Sequence, residues 1–149
     1  MKVISHRGNI RGTISEKENR PSYIDCAIAQ GFDVEVDIRY INGKFYLGHD
    51  GPEYVVNKKW IDLRKNNLWF HCKDPSSAYQ LSLLSEVKYF CHTFDSHVLI
   101  SNGMLWIHDL DHTTPNCIIP LLDSKSISKY AEYSGVYGIC TDFPIYVKL

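Results

Sequence analysis

Residues 32 to 38 alternate strictly, with Phe32, Val34, Val36 and Ile38 on one face of a strand and Asp33, Glu35 and Asp37 on the other. Neighbouring acids on such a face lie about 6–7 Å apart and repel one another. A fold that holds this strand must therefore bring positive charge to them, as a cation or as Arg and Lys, or turn them to solvent. The pair Asn42-Gly43, between Tyr40-Ile41 and Lys44-Phe45-Tyr46-Leu47, then predicts a two-residue hairpin turn. In that register Ile41 faces Lys44, Asp37 faces Gly48 and Val36 faces His49, which returns His49 toward the acids.

The rest of the chain alternates between strand and helix signals. A β-type run at 2–5 ends in His6-Arg7-Gly8, and a polar loop, long for a connection, continues to Pro21. Ser22 and Asp25 resemble a capping box, and the stripe Tyr23, Ile24, Ala27 and Ile28 predicts a helix over 23–30 that stops at Gly31. A short helix is expected at 60–66 and a strand at 68–73. Asp74-Pro75 should then open a helix over 75–85, with Ala78, Leu81 and Leu84 inward. Further β runs fall at 88–92, 104–108, 117–122 and 136–140, with a helix over 126–133. Such alternation implies parallel strands, right-handed crossovers and a site at the C-terminal strand ends. A full (β/α)₈ barrel needs about 200 residues or more. With 149 residues, the expectation is one α/β domain over 1–149, either a reduced barrel with shortened or missing helices or an open sheet.

Composition narrows the function classes. Sixteen Lys+Arg against 17 Asp+Glu give a formal net charge of −1, which argues against nucleic acid as a partner. At 44% hydrophobic residues the chain can bury a core. No transmembrane run of eighteen apolar residues occurs, and Met1–Ser5 lead straight into His6 and Arg7 without a signal-type apolar segment, so a cytoplasmic location is expected. The five cysteines include no Cys-x-x-Cys, and Cys72, Cys91, Cys117 and Cys140 lie in or beside apolar runs, which reads as buried free thiols.

His6-Arg7 closes the first strand and His49-Asp50 closes the hairpin return, so both histidines meet the edge where Glu35 and Asp37 end. Two histidines suit acid/base work at neutral pH, and carboxylates suit a hard divalent cation. Arg7 offers a planar fork for phosphate oxygens, or an ion pair with an acid at 16–18. The combination points to a phosphate or metal-dependent hydrolase. His92 and Asp95 are candidates for a pocket rim, whereas His108-Asp109-x-Asp111-His112 sits among turn formers and reads as a solvated loop. Trp69, Phe90, Phe94 and Trp106 read as core or pocket wall.

In order along the chain, His6-Arg7-Gly8, Glu18-Asn19-Arg20-Pro21, Gly31 with Glu35-x-Asp37, Gly43, His49-Asp50 and Thr141-Asp142-x-Pro144 resemble the signatures of glycerophosphodiester phosphodiesterases. The match is dense over 3–50, recurs at Lys73 and over 138–144, and is thin between. This resemblance implies a TIM-barrel-like scaffold and a hydrolase of glycerophosphodiesters or a similar small phosphodiester. It implies His6 and His49 as acid/base pair, Arg7 on the phosphate, and Glu35 and Asp37 on a divalent metal ion such as Mg²⁺, Ca²⁺ or Mn²⁺. Glu18, Asn19 and Lys73 would line the substrate pocket, and Asp142 would be structural or support the site. The family carries a further metal-binding glutamate two residues before its lysine. Here that position is His71, which either moves the site toward softer ions, leaves a weaker two-carboxylate site, or is a histidine hydrogen-bonded to an acid. A vicinal substrate hydroxyl would make a cyclic phosphate the first product. Two other readings stay open: a phospholipid head-group phosphodiesterase, for which no obvious apolar docking loop is visible, and a non-catalytic domain that binds a phosphate ligand. Missing helices would expose sheet faces, which predicts a homodimer.

Overall fold

The computed structural model describes residues 1–147. Seven strands run parallel in the order β6 (Lys88–Cys91), β5 (Leu68–Cys72), β2 (Asp33–Ile41), β1 (Lys2–His6), β10 (Gly138–Thr141), β9 (Cys117–Pro120), β8 (Leu105–Ile107). β7 (His97–Leu99) adds antiparallel to β8. β3 (Lys44–Leu47) and β4 (Tyr54–Val56) extend β2 as an antiparallel ribbon. The sheet must be curled, because Ile4, Trp69, Phe90, Trp106, Ile118 and Cys140, from six different strands, pack in one buried cluster. Its two edges meet at Ser101, whose backbone N–H donates to the Tyr89 carbonyl at 2.9 Å and whose Oγ accepts from Tyr89 N–H at 3.0 Å. Of the two architectures the alternation and length allow, this is the reduced barrel and not the open sheet, the TIM-barrel-like α/β fold that the resemblance implies.

Helices back only part of this wall. α1 (Pro21–Ala29), α2 (Lys58–Arg64) and α3 (Pro75–Ser82) share a core with Val34, Val36, Ile38, Leu68 and Phe70 on the outer faces of β2 and β5. α4 (Ser124–Ile127) and a 3₁₀ turn at Tyr130–Tyr133 cover β9 and β10. Between β6 and β9 the only helical segment among the described residues is a 3₁₀ turn, Leu110–His112. That is where helices are missing, and it leaves Leu99 68% exposed and Cys91 exposed rather than buried as expected.

Local chemistry explains the element ends. Pro21, with φ preset for a first helical position, starts α1 two residues early. The Ser22–Asp25 capping box does not form, and Asp25 pairs instead with Arg64 of α2 at 2.7 and 2.9 Å. Asp74 caps α3 as expected by accepting from Ser77 N–H, but the helix ends at Ser82. The helix expected at 126–133 begins earlier, under an Asp123–Ser126 capping box, and breaks into α4 and the 3₁₀ turn. β4 and β7, at three residues each, are too short for a periodicity to register.

The hairpin follows the expected register from Ile41↔Lys44 to Ile38↔Leu47, and Gly48 N–H donates to the Asp37 carbonyl at 3.1 Å. There it departs. Gly48 has φ +145°, and a side chain there would overlap the Gly51 carbonyl oxygen, so the chain leaves the ladder at a point only glycine allows. Val36 therefore does not face His49, whose ring crosses to Asp37.

The three acids of β2 are all buried, which removes the solvent-facing alternative. They also part company. Asp33 lies at the opposite end from the strand's C-terminus, where it accepts from Trp69 Nε1 at 2.9 Å and Asn67 Nδ2 at 3.3 Å and pairs with Lys2 at 3.3 Å. Lys88 reaches it at 4.0 Å while lying over the Trp69 ring. Asp33 is thus a structural plug. Asp33→Ala strips partners from Trp69 and two lysines and should cost about 3 kcal/mol in urea unfolding while leaving the opposite end of the barrel unchanged; a loss below about 0.5 kcal/mol would contradict this account.

Candidate active site

At the C-terminal strand ends a cavity of about 290 Å³ is lined by His6, Arg7, Glu35, His49, His71, Lys73, Phe90, His92, Thr93, Trp106, His108, Pro120 and Leu122. The alternation places these groups: on β1 Ile4 points into the barrel core and His6 follows on the same face, and on β5 Trp69 and His71 do the same. Parallel register then sets His6 beside Glu35 and Asp37 beside His71.

Asp37, fully buried, is the hub. Its Oδ2 receives Asn19 Nδ2 at 3.0 Å and lies 2.9 Å from Arg7 Nε and 3.2 Å from His49 Nδ1. Asn19 Oδ1 also accepts from the Asp37 N–H at 2.9 Å, so one side chain grips both the backbone and the carboxylate. Its other oxygen, Oδ1, is 3.1 Å from His71 Nδ1 and 3.7 Å from Lys73 Nζ but makes no hydrogen bond. Burial alone would raise the Asp37 pKa, yet the Arg7 guanidinium and the Asn19 amide act against it, and the carboxyl stays well below the usual range. Glu35 moves the opposite way, raised by burial and by the neighbouring Asp37 charge. Its Oε2 also lacks a hydrogen-bond partner.

Arg7 is held by three groups: NH1 donates to Glu18 at 3.0 Å, Nε faces Asp37, and NH2 lies 2.6 Å from His49 Nδ1. The ion pair expected with an acid at 16–18 is therefore present alongside the site contacts. His49 Nδ1 stands between the Arg7 NH2 donor and the Asp37 carboxylate 3.2 Å away, which only accepts, so the two contacts hold the ring in place and do not fix its tautomer. His6 has a single partner of this kind: Nδ1 bonds to Asp142 Oδ1 at 2.8 Å, which leaves Nε2 toward Glu35 and the cavity. Burial lowers the His6 pKa, but the Asp142 hydrogen bond and the Glu35 charge overcome that and leave it raised.

Two groups of ligand-type residues each bring atoms within 4.8 Å of one another: Glu35, Asp37 and His71, and separately His6, Glu18 and Asp142. The second is already satisfied, since Asn9 Nδ2 donates to both Glu18 and Asp142 at 2.8 Å, Thr13 donates to Asp142 and Arg7 to Glu18. The first keeps two buried oxygens unpartnered, which fits a cation.

The expected residues His6, Arg7, Glu35, His49, His71 and Lys73 thus share one cavity, with Asp37 against it. Glu18 and Asn19 lie behind it, holding Arg7 and Asp37. Asp142 supports His6, and His92 reaches the wall, while Asp95 is not part of the lining. Asp109 and His112 pair with each other in solvent. Sequence reading missed Asn9, and Arg39, whose NH2 donates to the His49 carbonyl at 2.6 Å. Arg39 continues the β2 alternation by one step, which is the signal that marks it. His108 was assigned to the solvated loop, but its ring stacks on His92 with centroids 4.4 Å apart.

No sequence-defined family matches the chain, and no curated protein matches it. The fold is nevertheless one that glycerophosphodiester phosphodiesterases share. The crystal structure of the glycerophosphodiester phosphodiesterase from Agrobacterium tumefaciens strain C58 aligns with a TM-score of 0.60 at 17% identity, covering 97% of this chain and 96% of that one.

The Asp142–His6 pair has a direct readout. In metal-free protein the NMR titration of the His6 ring should have its midpoint above 6.5, and Asp142→Asn should move it down. A midpoint unaffected by the substitution would show that Asp142 does not set the basicity of His6.

Proposed function

We propose that the protein is a phosphodiester hydrolase acting on glycerophosphodiesters or a similar small phosphodiester, with His6 and His49 as its proton-transfer pair and a divalent cation at Glu35 and Asp37. The observation that carries this reading is the convergence, in one cavity, of two histidines, two cationic side chains and two buried acids with unpartnered oxygens. The likeness to the Agrobacterium phosphodiesterase supports it.

A cation held by Glu35 and Asp37 would supply Lewis-acid polarisation of a phosphoryl oxygen. Arg7, locked by Glu18, Asp37 and His49, places a preorganised positive charge on the cavity wall, and Lys73 adds a second. His6 Nε2, made more basic by Asp142, takes the proton from the attacking hydroxyl or water. His49, held at the cavity by Arg7 and Asp37, gives a proton to the departing alkoxide from its imidazolium form and is left as neutral imidazole. Where the alcohol carries a vicinal hydroxyl, that hydroxyl attacks first and a cyclic phosphate precedes the final product.

One observation favours a second reading, in which the diester belongs to a phospholipid head group. Phe94 is 97% exposed, not in the core or pocket wall where its aromatic character placed it, and it directly follows Thr93 of the cavity lining, so one exposed apolar side chain stands next to that lining. Faster cleavage of phospholipid vesicles than of soluble diesters would select it.

Chelator-stripped protein supplied singly with Mg²⁺, Ca²⁺, Mn²⁺ or Zn²⁺ should hydrolyse glycerophosphocholine or an aryl phosphodiester. His6→Ala should lower kcat by about 10²–10⁴-fold, and Glu35→Ala should remove the metal dependence. A folded protein that turns over neither substrate with any ion would leave a binding domain as the better account.

A further inference from the structure

We propose that His71 is the third ligand of the Glu35–Asp37 cation, through Nδ1, and that this nitrogen makes the site prefer first-row ions such as Co²⁺ and Zn²⁺ over Ca²⁺ and Mg²⁺. The proposal rests on the reading above that a divalent cation sits at these acids, and adds which ion and by what atom.

The ring of His71 has little freedom. It stacks on Phe90 with centroids 5.1 Å apart and planes within 2°, and its side chain is 13% exposed. Nε2 lies 3.1 Å from the His92 carbonyl oxygen. A carbonyl only accepts, so Nε2 carries the hydrogen and donates it. That leaves Nδ1 as the ring atom turned to the acids, 3.1 Å from Asp37 Oδ1 and 3.7 Å from Glu35 Oε1. Asp37 Oδ1 nevertheless has no hydrogen bond, so this approach is not a satisfied histidine–acid pair.

The division of labour on Asp37 points the same way. Arg7, Asn19 and His49 all address Oδ2, and none is hydrogen-bonded to Oδ1. An oxygen from each acid and one imidazole nitrogen remain facing a common point, with ligand atoms within 4.8 Å of one another. That span suits metal–ligand bonds of about 2.0–2.4 Å. A histidine whose far N–H is tied to a backbone carbonyl is the usual arrangement of an imidazole ligand, since the outer bond fixes both tautomer and ring direction. Ca²⁺ and Mg²⁺ favour all-oxygen sets, whereas imidazole strengthens binding of Co²⁺ and Zn²⁺.

Calorimetric titration of the chelator-stripped, full-length protein with CoCl₂, ZnCl₂, CaCl₂ and MgCl₂ tests the preference. Co²⁺ and Zn²⁺ should bind about 100-fold more tightly than Ca²⁺, and His71→Glu, which offers oxygen in place of nitrogen, should close most of that gap. His71→Gln, similar in size and still able to donate to the His92 carbonyl, should weaken Zn²⁺ by about 10–100-fold. Long-range ¹H–¹⁵N spectra of the Zn²⁺-loaded wild type give a readout that needs no variant to fold: the His71 Nδ1 resonance should shift while Nε2 keeps its proton. Ca²⁺ binding as tightly as Zn²⁺, an unmoved Nδ1 resonance, or the absence of any metal binding would overturn the proposal. Selective Zn²⁺ binding through Nδ1 without turnover of phosphodiesters would leave it standing and remove the phosphodiesterase reading instead.

Discussion

Two carboxylates buried on one face of β2, where its parallel pairing with β1 and β5 runs out, are the constraint on which the rest of this site depends. Glu35 is 2% exposed and Asp37 is fully buried, a placement that stands only when donors and positive charge surround the acids. The long loop after β1 is shaped by that requirement. Arg7 and Asn19 both adopt positive φ, at 54° and 60°, and the Arg7 carbonyl accepts from Asn19 N–H at 3.0 Å while Arg7 N–H donates to the Glu35 carbonyl at 2.9 Å. Two strained residues thus hold each other in place and aim both side chains at Asp37. Asn9 extends the same network to Glu18 and Asp142, so His6, Arg7 and the acids form one connected set.

The reduction of the barrel follows the same logic. α1, α2 and α3 are kept behind β2 and β5, the strands that carry Glu35, Asp37 and His71, and their shared core holds those strands against movement. The wall from β6 to β8 has no such backing among the described residues. It is stiffened from inside, where Phe90 stacks on Trp106 at 4.6 Å and on His71 at 5.1 Å.

What the sequence made legible was periodic. The alternation of 32–38 predicted the inward face of β2, and Asn42-Gly43 predicted its hairpin register, because both signals are local and repeat. The path of His49 was not legible, because it depends on Gly48 meeting Gly51 across a loop. Nor does alternation separate Asp33 from Glu35 and Asp37: all three share a face, and only the position along the barrel axis makes one a plug and two a site. Cys91 looked buried because its strand is apolar, but the covering helix is missing there. Asn9 acts on partners that no spacing records, one of them at the far end of the chain, whereas the β2 alternation marks Arg39 but not the backbone carbonyl it reaches.

The cavity is also divided electrostatically, and the division depends on burial. Arg7 and Lys73 stand beside the acids, while His92 and His108 in the same lining stack on each other. The pKa of His92 is lowered by burial and then by His71, and that of His108 by burial and then by His92. Were these two rings charged, they would spread positive charge further along the lining and blur where an anion is drawn. Kept neutral, they leave the positive field concentrated at Arg7 and Lys73, beside Glu35 and Asp37 and between the two histidines that can move protons. The stacked pair then offers flat, neutral rings, suited to the uncharged part of a ligand whose anionic part is held elsewhere.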